Sequence, residues 1–121
     1  MGDRVLGLVI AQAVFETFPK EREGGLAKRH TALVQGRTLA VIAAANDLGS
    51  FIVFSEAERD SGGAENDHIL ADVLEAILGA VFLDGGLEAV RGVILRLWGD
   101  MIHTLVDAPQ WHALEKHYGQ I

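Results

Sequence analysis

The fold is decided by the stretch Ile69-Leu70-Ala71-Asp72-Val73-Leu74-Glu75-Ala76-Ile77-Leu78-Gly79-Ala80-Val81-Phe82-Leu83. Apart from Asp72 and Glu75, every residue in it is apolar or glycine, and its length is that of a helix rather than a strand. Residues three positions apart share one face of a helix, so the two acids lie side by side. Because burying two carboxylates is costly unless each finds a cation or hydrogen-bond donors, this helix predicts a charged site.

The paired acids have two interpretations. A divalent ion neutralises both carboxylates at once, and ligation by oxygen alone favours a hard ion such as Mg²⁺. Alternatively, Asp72 and Glu75 form structural ion pairs with arginines such as Arg29 or Arg37. The spacing of the acids does not separate the two interpretations.

Helical patterns on both sides of this stretch predict an all-α domain. The predicted helices are 5–18, 26–35, 38–47, 69–83 and 87–106. The first has apolar residues on nearly every face, which indicates burial in a core or between subunits, and Gly7 would let a neighbouring backbone come close. Between the helices we expect a charged loop over 20–25, a break at Gly36, an extended link over 51–54, a surface loop over 55–67 and a tight turn over 84–86.

The composition is that of one folded domain. The chain has 121 residues, of which 50% are hydrophobic, and it contains no cysteine, which excludes a disulfide framework and thiolate metal ligands. Without a signal peptide or a spanning segment, we expect a cytoplasmic protein that does not enter a membrane. The net charge of −7 opposes binding to phosphate, unless bound metal reverses it locally or the basic residues gather elsewhere.

The remaining candidate residues have ordinary explanations on pattern alone. Asp3 precedes the first predicted helix and suits a cap or first-turn charge. Glu23 beside a glycine pair is typical of a solvated loop. Lys28 and Arg29 belong to the densest basic cluster, with Lys20, Arg22 and His30, and such clusters are mostly solvated surface.

Short motifs nevertheless occur in the order and at the spacing of one family. They are Gly2-Asp3-Arg4-Val5-Leu6, Phe18-Pro19, Glu23-Gly24-Gly25-Leu26-Ala27, Leu33-Val34, Ser61-Gly62-Gly63, Ile69 to Ala80, and Leu83-Asp84-Gly85-Gly86-Leu87. On these residues the chain resembles the catalytic endonuclease domain of bacterial ribonuclease III. The resemblance covers residues 1–106, and 107–121 would be a C-terminal tail or the start of a linker.

The resemblance implies a Mg²⁺-dependent endoribonuclease, with Mn²⁺ as a substitute ion. Such an enzyme hydrolyses double-stranded RNA to 5′-phosphate products in rRNA and mRNA processing, and it works as a homodimer. The resemblance makes Asp3 and Glu75 catalytic, makes Asp3, Asp72 and Glu75 metal ligands, and gives Glu23 a secondary acidic role. Lys28 and Arg29 would contact RNA phosphates weakly. The chemistry agrees, since metal-bound water supplies a nucleophile and the ion stabilises charge on the phosphate.

The resemblance also implies features that this sequence lacks. The family has a metal-binding glutamate four residues before the position of Asp3, and a double-stranded-RNA-binding domain after a linker. We therefore expect a catalytic domain that is incomplete at its N-terminus, a weakened metal site, and RNA affinity that is low and strongly salt-dependent. The alternative is a catalytically impaired helical module that dimerises or binds RNA without cutting it.

Overall fold

The computed structural model describes residues 1–51 and 67–105 as helices joined by short connections. The helices are α1 (Gly2–Thr17), α2 (Glu23–Val34), α3 (Gly36–Ala45), a 3₁₀ turn (Leu48–Phe51), α4 (Asp67–Trp98) and α5 (Met101–Thr104). Within these two ranges there is no strand, and the prediction of an all-α domain is confirmed. The predicted link over 51–54 and loop over 55–67 fall outside the described residues, except for Phe51 in the 3₁₀ turn and Asp67 in α4.

Four helices begin earlier than their apolar pattern predicted, and α4 is one of them, because it starts at Asp67 rather than at residue 69. α1 starts at Gly2, and α2 starts at Glu23, so Glu23 lies in a helix and the prediction of a loop up to residue 25 is wrong. Likewise, α3 starts at Gly36, and the chain turns at Gln35, whose backbone is extended (φ −72°, ψ 156°). The first turn of a helix is commonly polar, so hydrophobic periodicity does not mark where it begins.

The predicted helices over 69–83 and 87–106 form a single element, α4. A non-helical Gly86 (φ 83°, ψ −174°) interrupts α4 where a tight turn was predicted. α4 ends at Trp98, because Gly99 adopts a left-handed backbone (φ 49°), and the short α5 follows. The prediction of one helix up to residue 106 is therefore wrong; buried Met101, Ile102 and Leu105 continue the apolar period across the break and conceal it.

The core lies where α4 packs against α1 and α3. Its largest fully buried side chains are Trp98, Leu6, Ile10, Leu33, Leu39, Ile42, Leu74, Leu78, Ile94, Met101, Val9 and Val14. α1 is not buried on every side in this single chain, since Leu8 is 57% exposed and Phe15 is 63% exposed. None of the helices described has the length and apolar character that a membrane crossing requires.

We expect Trp98→Phe to lower the free energy of unfolding by about 2 kcal/mol. The buried Trp98 Nε1 donates a hydrogen bond of 2.8 Å to the Leu33 carbonyl oxygen, which joins the end of α4 to α2. Phenylalanine leaves that carbonyl without its donor and leaves a small void. Urea denaturation followed by circular dichroism measures the loss. Leu95→Phe, at an exposed position of α4, is the control and should stay within about 0.5 kcal/mol; equal midpoints for the two variants would contradict the assigned role.

Candidate functional site

The paired acids of α4 differ in their exposure to solvent. Asp72 is exposed, whereas Glu75, one turn further along α4, is partly buried. The expectation that both carboxylates are buried is therefore wrong for Asp72, because its side of α4 is not covered by α1 or by another described element. Of the two carboxylates, the one that loses contact with water on folding is therefore that of Glu75.

The start of α1 packs directly against α4 beside Glu75. A Cβ atom added to Gly2 would overlap the Glu75 carbonyl oxygen, and one added to Gly79 would lie 3.4 Å from the Gly2 nitrogen. Glycine at both positions lets the two backbones come this close. The sequence had pointed to Gly7 for such an approach, but the structure uses Gly2 and Gly79, and it brings Asp3 in the first turn of α1 towards the acids of α4.

The electrostatics of Glu75 reflect this arrangement. Burial raises the pKa of Glu75 above its ordinary value, and the negative charges of Asp3 and Asp72 raise it further, while the N-terminal ammonium acts in the opposite direction. In contrast, the pKa of Asp3 is lowered, mainly because the N-terminal ammonium donates to its Oδ1 at 3.4 Å and the Arg4 backbone N–H also donates to the carboxylate. Asp3 thus lies close enough to Glu75 for their charges to interact.

Arginine pairing does not account for Asp72 and Glu75. Among residues 1–51 and 67–105, neither Asp72 nor Glu75 forms an ion pair, and Arg29 pairs with Glu21 instead, at 2.6 Å. The same part of the chain contains no group of three His, Cys, Asp or Glu side chains close enough to hold a metal ion. Asp3, Asp72 and Glu75 are therefore neighbours that do not converge on one point.

An open depression lies beside the paired acids. Its volume is about 500 Å³, and it is lined by Met1, Gly2, Asp72, Glu75, Ala76, Gly79, Ala80 and Leu83. Two carboxylates facing one open space suit a hard divalent cation, because Mg²⁺ keeps several waters and is commonly held by one or two carboxylates. The donor set fits such an ion in kind, with Asp72 and Glu75 lining the same depression. The rim is apolar, with Leu83 72% exposed and Met1 63% exposed.

Glu23 lies in a different place. It lines a second, mainly apolar depression of about 330 Å³ between α1 and α2, together with Ala11, Val14, Phe15, Leu26, Ala27, His30 and Thr31. Val14, which lies beside Glu23, is eleven residues after Asp3 on α1, so these two positions of the helix are about 16 Å apart along its axis. Within one chain, the structure therefore does not bring Glu23 to the other three acids.

The basic cluster is only partly available to a ligand. Lys28 is exposed, as expected, but Arg29 is partly buried, with its guanidinium 3.7 Å from the Phe18 ring centroid and bonded to Glu21. His30 is also partly buried, and its Nε2 lies 2.8 Å from the Gly7 carbonyl oxygen. The prediction that Arg29 and His30 are exposed is wrong, because this face of α2 turns towards α1 and the loop that follows it.

We expect Gly2→Ala to push α1 away from α4 and weaken divalent-ion binding about tenfold. The added methyl group would occupy the position of the Glu75 carbonyl oxygen, and Asp3 would move with α1. Calorimetric titration with Mg²⁺ measures the affinity. Gly92→Ala on α4, where an added Cβ meets nothing within 4 Å, is the matched control and should leave Mg²⁺ affinity unchanged; equal affinities for the two variants would contradict the role of the close contact.

The helical fold is that of a known group of nucleases. The family described as Ribonuclease-III-like matches residues 1–100, and the chain belongs to this family. Ribonuclease 3 of Wolbachia pipientis subsp. Culex pipiens (strain wPip) is 44% identical over 110 residues, which cover 91% of this chain and 48% of that protein. Ribonuclease 3 of Ehrlichia ruminantium (strain Welgevonden) is 46% identical over 110 residues, with coverage of 91% and 48%. The chain thus spans about half the length of these curated relatives.

Solved structures show the same fold. A crystal structure of the nuclease domain of ribonuclease III from Campylobacter jejuni is 40% identical with a TM-score of 0.76, and the match covers 100% of this chain and 71% of that one. A second structure of that nuclease domain is 45% identical with a TM-score of 0.77, covering 80% and 68%, and is described as showing structural flexibility in a region involved in dimer formation. The ribonuclease III family is in general metal-dependent.

Proposed function

We propose that the chain is the nuclease part of a ribonuclease III-type endoribonuclease, which uses Mg²⁺, or Mn²⁺ in its place, to hydrolyse double-stranded RNA to 5′-phosphate products. The observation that carries this proposal is that Asp72 and Glu75 face one open depression with Asp3 close by. Membership of the family supports it. Residues 1–106 would form the catalytic domain and 107–121 a tail or linker, in a cytoplasmic protein of rRNA and mRNA processing.

In this proposal Asp72 and Glu75 hold the ion, and Asp3 is the third carboxylate of the site. The bound ion would supply an activated water and would stabilise charge on the phosphate. Glu75 binds a proton more readily than an exposed glutamate, because it is partly buried and faces Asp3 and Asp72. Asp3 stays ionised to lower pH, since the ammonium and the Arg4 N–H hold its carboxylate. Ion binding therefore competes with protonation chiefly at Glu75, and it should strengthen as the pH rises.

We further propose that two copies associate through the exposed side of α1. Leu8 and Phe15 lie two helical turns apart on that side, and both expose more than half of their surface. Apolar side chains of this size exposed in one row mark a contact surface. Glu23 borders the same surface. Its carboxylate would therefore contribute to the acidic site of the second copy rather than to that of its own chain.

A cleavage assay on the 121-residue chain tests the proposed activity, with a long RNA duplex and Mg²⁺. We expect discrete 5′-phosphorylated fragments with wild-type protein and none with Asp72→Asn. Single-stranded RNA of the same length and duplex RNA with EDTA are the controls. Binding should weaken steeply with salt, through Lys28 and the neighbouring cations.

The alternative is a module of the same fold that binds or dimerises without cutting. It is favoured by the absence of a three-acid metal cluster among the described residues. Folded wild-type protein that binds the duplex but leaves it intact in Mg²⁺ and in Mn²⁺ would support this alternative and overturn the proposed activity.

A further inference from the structure

Three side chains interlock between the end of α1 and the second turn of α2. The Arg29 guanidinium lies 3.7 Å from the Phe18 ring centroid, and its Nε donates to Glu21 Oε2 at 2.6 Å. The Glu21 carboxylate in turn lies directly over Gly25, because a Cβ added to Gly25 would overlap Glu21 Oε1. We refer to Phe18, Glu21 and Arg29 together as the Arg29 clamp.

The clamp acts where α2 lacks the usual means of fixing its start. The N-cap residue Arg22 makes no side-chain capping hydrogen bond. Helices normally satisfy their first N–H groups with such a cap, and its loss makes the first turn fray. Here the turn before α2 is closed by a Glu21 N–H to Phe18 carbonyl bond of 3.1 Å, and Arg29 ties the side chains of the same two residues to the body of α2.

The clamp is protected from solvent and is therefore stiff. The Arg29 side chain is 16% exposed and that of Glu21 is 27% exposed, so their charge-assisted bond is screened less than a surface pair. The first residue after this turn and its cap is Glu23, which begins α2 and is itself exposed. The position of the Glu23 carboxylate thus depends on the turn that Arg29 holds.

We propose that Arg29 is a positioning residue, not an RNA contact: the clamp fixes the start of α2 and so fixes where Glu23 stands for cleavage. The cleavage part of this inference rests on the proposed function. Arg29 acts through Glu21 and the backbone, whereas its neighbour Lys28, on the exposed side of α2, remains available to phosphate. This assignment replaces the weak phosphate contact that the sequence suggested for Arg29.

Two measurements on the 121-residue chain test the proposal, with Arg29→Met as the variant and Arg96→Met, at an exposed position of α4, as the matched control. Amide hydrogen exchange reports on the N–H groups of Glu21 and Leu26, which bond to carbonyl oxygens at the turn before α2 and in its first turn. It should be about tenfold faster at both residues in Arg29→Met and unchanged in Arg96→Met. In duplex cleavage, Arg29→Met should lower kcat about tenfold with KM within about twofold. Glu23→Gln should give a similar fall, and the double variant Arg29→Met/Glu23→Gln should fall no further than either single variant.

The outcomes separate the clamp from the proposed activity. Unchanged exchange at Glu21 and Leu26 in Arg29→Met overturns the clamp whether or not the wild-type protein cuts RNA. A raised KM with a shallower salt dependence and an unchanged kcat would instead make Arg29 a phosphate contact. Multiplicative losses in the double variant would show that Arg29 and Glu23 act independently, which overturns the positioning role. Wild-type protein that does not cut RNA overturns the link to cleavage together with the proposed function. The hydrogen-exchange measurement then still tests whether Arg29 holds the start of α2.

Discussion

Glu75→Gln is expected to abolish RNA cleavage and, in the absence of metal, to stabilise the fold. Loss of a metal-binding carboxylate should lower kcat by at least about a thousandfold. The same carboxylate is unfavourable in the folded apo-protein, because it is partly buried and faces the negative charges of Asp3 and Asp72. The neutral glutamine has the same shape and removes that repulsion, so the free energy of unfolding should rise by up to about 1 kcal/mol at pH 7.

The pH dependence of this gain follows from the direction of the Glu75 pKa shift. The folded state raises the pKa of Glu75 above its ordinary value of 4.5. The folded state then binds the proton more tightly than the unfolded state. The stability that protonated Glu75 contributes to the wild-type protein is therefore lost as the pH rises through the folded pKa. The advantage of Glu75→Gln should accordingly be absent well below pH 4.5, grow as Glu75 ionises, and level off above the folded pKa.

Mg²⁺ should make the wild-type protein more stable than Glu75→Gln, which reverses their order without the ion. An ion that binds only the folded state stabilises it in proportion to the logarithm of its concentration over Kd, and wild-type protein alone should gain this term. Thermal unfolding at pH 7 with and without Mg²⁺ measures both effects. Glu88→Gln, at a position of α4 where the side chain is 86% exposed and pairs with Arg91, is the control and should change neither. A destabilised Glu75→Gln variant, or a wild-type protein indifferent to Mg²⁺, would contradict the assignment of Glu75 to a metal site.

The acidic pair of α4 and much of the core could be predicted from the sequence, because both follow from the spacing of residues on a single helix. Asp72 and Glu75 share a face at any α-helical geometry, and Leu70, Leu74 and Leu78 follow the same period into the core. The family motifs added Asp3, whose place beside Glu75 depends on how α1 crosses α4. No local pattern in the sequence encodes that crossing.

What sequence reasoning missed lies in contacts between elements. The close approach at Gly2 and Gly79 depends on two segments far apart in the chain, whereas the apolar pattern of the first helix pointed to Gly7. Arg29 looked like a surface cation because the ring and carboxylate that enclose it come from the loop before α2. The end of α4 at Trp98 was hidden since the apolar period continues beyond Gly99, and only the backbone angle of that glycine reveals the break.

Phe15→Glu is expected to leave the chain folded but monomeric and to lower cleavage at least about tenfold. Phe15 is 63% exposed and lies on the same side of α1 as Leu8, so a charge there costs little in the isolated chain. In a two-fold contact each substitution enters the interface twice, and burying a phenylalanine side chain contributes about 2 kcal/mol per copy. The loss of cleavage follows from the separation of Glu23 from the acids of its own chain, since a monomer then lacks one acid of the proposed site.

Sedimentation velocity at micromolar concentrations decides this prediction together with the cleavage assay. Wild-type protein should sediment as a dimer, Phe15→Glu as a monomer with an unchanged or higher melting temperature, and Leu8→Glu should behave like Phe15→Glu. Leu95→Glu is the control, because Leu95 is 40% exposed on α4 rather than on α1, and it should remain dimeric and active. A dimeric Phe15→Glu variant would exclude this side of α1 as the interface. Full cleavage by a monomeric variant would show instead that one chain carries a complete site, built from Asp3, Asp72 and Glu75 without Glu23.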